Sequence, residues 1–151
     1  MKRILIGLDK KFVMYPTQKQ ILTVNPKIKS IIKSATLAWK DEYLKDWKNL
    51  SKKEQIDRLK ILILWLNWAN HKRDDNLKIK LGDEYQYDPR RQTIYIDKNH
   101  PSIISTLHEL GHHIAGLSEL KACRWSVWLF IECFPGLYKN LKWNKHLLIK
   151  K

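Results

Sequence analysis

Residues 101–116 read PSIISTLHELGHHIAG, and no other stretch constrains this chain as strongly. Pro101 suits a first helical turn, where a missing N–H does no harm, and Gly116 suits the residue just past a helix end. The pattern predicts a helix over about residues 101–115. Within it lie His108, Glu109 and His112 in the order H-E-x-x-H. A helix turns 100° per residue, so His108 and His112 stack on one face, one turn apart.

Two neutral imidazoles in that position can hold one zinc ion through ring nitrogens. Glu109 is displaced around the axis. It therefore need not coordinate and is placed to act as a general base on a water in the open position. Gly111 leaves room for the ion or a substrate to approach. His113 points about 100° away from His112 and cannot share the ion; it reads as an outer or surface histidine.

A catalytic zinc site takes a third protein ligand. Ser118 caps a second helix, predicted over about 118–134, so the two helices form a tight corner or an antiparallel pair. In the antiparallel case Glu119 sits about one turn, or ~5 Å, beyond His112, within reach of a glutamate side chain. Glu119 is thus the expected third ligand. Cys123, one turn further on the same face, and Glu132, 20 residues after His112, compete with it. His100, Tyr85, Tyr87, Tyr95 and Tyr138 are candidate donors to an oxyanion, and the sequence does not choose among them.

The remaining chain supplies the frame for this site. Its 151 residues, 44% hydrophobic with seven tryptophans, suit one folded domain with one core. Short strands are expected at KRILIGL and QILTV. A helix should start at Asn25-Pro26 and run to about Lys48. Ser51 and Glu54 form a capping box ahead of a helix ending near residue 72, whose Trp65 and Trp68 read as core or groove packing. LKIKL and TIYID alternate with period two, as a hairpin with a long connection or as two neighbouring strands within about 77–97. The basic end, LYKNLKWNKHLLIKK, reads as a final short helix with a frayed terminus.

Charge and cysteine usage narrow the function classes. The net charge of +14 rests on 23 lysines against 6 arginines. Arginine is the fork that reads phosphates and base edges. The balance therefore points to a solvated basic surface with weak attraction for acidic partners, nucleic acid included. Cys123 and Cys133 lie ten residues apart in one predicted helix, roughly 15 Å and beyond disulfide reach. Free thiols suit a reducing cytoplasm. The apolar run in MKRILIGLDKK is shorter than the about 7–15 residues of a signal peptide, and ILILWLNWA falls short of the ~20 needed for a membrane span.

HELGHH followed by ELKACRWS resembles the ImmA/IrrE family of small zinc metallopeptidases. Glu119, Ala122, Trp125 and Ser126 match the pattern of the second helix, and the similarity covers about residues 93–135. The resemblance implies an α+β, zincin-like fold, mainly helical, with a small sheet or hairpin before the H-E-x-x-H helix. It also implies a zinc-dependent endopeptidase acting on a protein substrate such as a repressor-like regulator. One zinc ion would be held by His108, His112 and Glu119, with Glu109 catalytic. TIYID would offer its edge to an extended substrate. The alternative expectation is a non-catalytic zincin-fold module that holds a protein or nucleic-acid partner on its basic surface.

Overall fold

The computed structural model describes residues 4–5, 15–71, 76–145 and 147–151. The architecture is mixed α+β. Strand β1, Ile4–Leu5, is followed by helices α1, Gln18–Thr23, and α2, Ser30–Tyr43. A 3-10 turn over Trp47–Asn49 leads into α3, Lys52–His71. Strands β2, Lys78–Gly82, β3, Gln86–Asp88, and β4, Thr93–Asp97, precede α4, Ile103–Ile114, and α5, Glu119–Cys133. A short α6, Pro135–Lys139, and strands β5, Leu141–Asn144, and β6, Leu147–Lys150, close the chain.

Several expectations require correction. QILTV is not a strand: Thr17 and Gln20 form a reciprocal capping box that starts α1 there. The helix expected from Pro26 begins at Ser30 and ends at Tyr43 with Leu44 as its cap, and the left-handed Asp46 then leads into the 3-10 turn. The basic end folds as α6 and an antiparallel hairpin of β5 and β6 in place of one frayed helix. By contrast, the capping box at Ser51 and Glu54 is present, with both hydrogen bonds formed at 3.1 and 3.2 Å.

The four-stranded sheet has the order β1-β3-β4-β2. LKIKL and TIYID are neighbours but run parallel, so they do not form a hairpin with each other. Instead β3 and β4 make the antiparallel turn, over Arg90 and Arg91, whose N–H groups both donate to Asp88 Oδ1. The arrangement removes TIYID as a docking edge. β4 is paired on both sides, by β2 over five residues and by β3 over three. It is also buried at four of its five positions.

The core lies between this sheet, α4 and the pair α2 and α3. Leu59, Leu62, Ile63 and Leu66 of α3 meet Trp39 of α2, Ile94 and Ile96 of β4, Leu107 and Leu110 of α4, and Leu129 and Phe130 of α5. Each such side chain taken fully out of water contributes about 1.5–3 kcal/mol. Polar ties fix the register of the helices. The Trp39 indole donates to the Arg58 carbonyl at 2.9 Å, and Arg58 donates to the Tyr43 carbonyl at 2.6 Å.

On the outer side, Leu64, Trp65 and Trp68 follow one another along α3 and are exposed. Trp65 and Trp68 line an apolar groove of about 400 Å³ with Ile31, Ser34, Ala35 and Ala69, and Trp68 remains 53% exposed. No helix among the described residues is long and apolar enough to cross a membrane.

Candidate metal centre

α4 is the most enclosed helix of the fold, with nine of its twelve residues buried. Its start is pinned twice. Ser102 caps it by accepting from Ser105 N–H at 3.2 Å, and the Tyr85 hydroxyl accepts from Ser102 N–H at 2.7 Å while donating to the His100 carbonyl at 2.9 Å. Burial, aided by the charges of Asp97 and Glu109, pushes the Tyr85 phenol above its ordinary pKa, so it stays a protonated donor.

Of the tight corner and the antiparallel pair that the sequence allowed, α4 and α5 form the second, with His108 against Cys123 and His112 against Glu119. Gly116 takes φ +133°, a conformation natural only to glycine, and Ser118 caps α5. Gly111 has a different role from the one its sequence position suggested. The space beside it is filled by α5: a Cβ there would lie 3.1 Å from the Ala122 carbonyl oxygen and 3.3 Å from the Trp125 ring. Glycine at 111 and alanine at 122 thus let two backbones approach closely, and this closeness brings the first turn of α5 up to the histidines.

Three side chains converge there. His108 Nε2 lies 3.1 Å from His112 Nε2. His112 Nε2 is 2.8 Å from Glu119 Oε1, and His108 Nε2 is 3.4 Å from Glu119 Oε2. All three residues are buried, and among the described residues they form the only group of three or more His, Cys, Asp or Glu side chains close enough to share a metal ion. Four-coordinate zinc with bonds of about 2.0–2.1 Å has ligand–ligand edges of about 3.3–3.4 Å, so the observed spacings fit such an ion after small side-chain adjustments. Two imidazoles and one carboxylate also form the donor set of a catalytic zinc site.

His112 Nδ1 faces the Gly116 carbonyl at 3.3 Å. A carbonyl can only accept, so the ring donates through Nδ1 and its Nε2 is turned to the centre, 2.8 Å from Glu119 Oε1.

The competing ligands are not part of the converging group. Glu132 accepts from Lys33 at 2.7 Å and from Asn25 at 3.5 Å, on the far end of α5. Cys123 approaches the opposite nitrogen of His108, with Sγ 3.7 Å from Nδ1, and is outside the converging group. Glu109 is fully buried on α4 and also outside that group.

The oxyanion candidates separate as well. Tyr85 is committed to the helix start. The Tyr87 hydroxyl sits 2.6 Å from His113 Nδ1, with the two rings edge to face. Tyr138 accepts from the Trp143 indole at 3.2 Å, and His100 pairs with Asp97 on the surface. Tyr95 lies on β4 with its ring over Gly82.

The spacing that puts Cys123 on the face of Glu119 brings it to the site, but at His108 Nδ1. The sequence reading had no place for two further contacts, the Gly116 carbonyl against His112 and, beside the centre, Tyr87 against His113. Comparison with known proteins adds no neighbour: no family model, curated protein or solved structure matches this chain.

Proposed function

We propose that this chain is a zinc-dependent endopeptidase of zincin-like fold, acting on a protein substrate. The observation that carries the reading is the buried convergence of His108, His112 and Glu119, with both helices shaped to bring it about. The resemblance of HELGHH and ELKACRWS to the ImmA/IrrE metallopeptidases supports it and suggests a repressor-like regulator as the substrate class.

His108, His112 and Glu119 would hold the ion. When bound, zinc would polarise the scissile carbonyl and lower the pKa of a water to about 7. Glu109 would take the proton of the attacking water and deliver it to the leaving amine. The Gly116 carbonyl keeps the His112 ring turned toward the centre. Both cysteines are buried and neither is in a disulfide, which suits the cytoplasm as the working compartment.

The test is hydrolysis of a mixed peptide library by the purified chain. Cleavage should require zinc, stop with a chelator and resume when zinc is restored. A chain that binds zinc stoichiometrically yet leaves every peptide intact would favour the second reading, a binding module. The groove of Trp65 and Trp68 is the feature that favours it, since exposed aromatic pairs in an apolar cleft suit a partner surface.

A further inference from the structure

Metal-ligating histidines are oriented by what their other ring nitrogen meets, most often a carboxylate, a carbonyl or water. His112 follows that pattern through Gly116. On His108 the Nδ1 faces the Cys123 sulfur at 3.7 Å. The same sulfur lies 4.0 Å from Glu119 Oε2, within sulfur hydrogen-bonding range. One thiol therefore touches two members of the converging group, His108 through the ring nitrogen opposite Nε2 and Glu119 through Oε2.

We infer that Cys123 is a positioning residue for the metal centre, a protonated thiol that accepts from His108 Nδ1–H and donates to Glu119 Oε2. This inference rests on the metal reading proposed above. The direction of each bond follows from the atoms. With Nε2 of His108 turned to the ion, its proton sits on Nδ1 and needs an acceptor, which sulfur provides. Glu119 as a carboxylate can only accept, so the S–H points to it.

The surroundings hold the thiol in that role. Cys123 is four residues after Glu119 and so shares its face of α5. Behind it, Ile21 of α1 and Val127 form a small apolar cluster with it, and all three are buried. α1 is fastened over this spot by Arg124, which donates twice to the Gln20 carbonyl, and by the Trp128 indole, which donates to the Ile21 carbonyl at 3.1 Å. The other cysteine has no such contacts: burial pushes the Cys133 thiol up to about 11, and it lies at the far end of α5.

The experiment uses cobalt(II) as a spectroscopic probe on the full-length wild-type chain, Cys123→Ala and Val127→Ala. Wild type should bind one cobalt, with visible ligand-field bands and no near-ultraviolet thiolate-to-cobalt charge-transfer band. Cys123→Ala should bind cobalt about 10- to 100-fold more weakly, the usual loss for an outer partner, with shifted ligand-field bands. Val127→Ala opens the same apolar cluster without touching a ligand, and should bind as wild type does.

A thiolate band in wild type that disappears in Cys123→Ala would make Cys123 a ligand and overturn the inference. So would unchanged affinity in Cys123→Ala, or an equal loss in Val127→Ala, which would reduce the thiol to packing. Wild type binding no cobalt would overturn the metal reading itself, and this inference with it.

Discussion

Glu109→Gln is expected to bind zinc as wild type does and to lose about 100- to 10,000-fold in the rate of peptide hydrolysis, the span typical of a general base. The substitution nearly conserves shape, which matters because Glu109 is fully enclosed in α4. An amide can still hydrogen-bond but cannot accept a proton at neutral pH. Glu109 stands outside the group of His108, His112 and Glu119, so the metal content should not follow the activity down. Steady-state hydrolysis and metal analysis on one preparation separate these effects. Hydrolysis at the wild-type rate would remove Glu109 from the chemistry.

Glu119→Ala should have the opposite profile, acting on the metal before the rate. Losing an outer partner of a ligand costs about 10- to 100-fold in metal affinity, so losing a ligand should cost at least about 100-fold. Stability shows the same thing. Zinc at 100 times its dissociation constant stabilises wild type by about 2.7 kcal/mol. For a chain of this size that corresponds to a rise in melting temperature of roughly 5–11 °C. The variant should show a rise of no more than about 2 °C at that zinc concentration, whereas Glu132→Ala should respond as wild type does, since Glu132 is occupied with Lys33 and Asn25. A thermal melt with and without zinc reads this out, and a full zinc response in Glu119→Ala would return the third ligand to open competition.

The centre was legible because its determinants are local. His108 and His112 are one turn apart, Gly116 stops the helix, Ser118 starts the next, and Glu119 follows at once. Each of these is a short-range rule of helix geometry or capping. The same kind of rule was available at Thr17 and Gln20, where the capping box marks α1, but the apolar residues of QILTV outweighed it in a strand reading.

What escaped the sequence depends on distance along the chain. Nothing in the alternation of LKIKL and TIYID says that they run parallel, or that the three residues of β3 lie between them in sequence and pair on the other side of β4. Pairing partners are set by tertiary packing, which periodicity does not encode. The closing hairpin also lacks the usual glycine signal, because Lys145 supplies the left-handed turn residue. Gly111 was visible as small, but only the position of α5 shows that its smallness serves helix contact and not ligand entry.

Zinc-edge X-ray absorption on the zinc-loaded wild-type chain addresses the central claim most directly. The predicted spectrum has nitrogen and oxygen neighbours only, at about 2.0–2.1 Å, with the multiple scattering of two imidazoles. A chain that takes up no zinc, or a sulfur neighbour at about 2.3 Å, would contradict it.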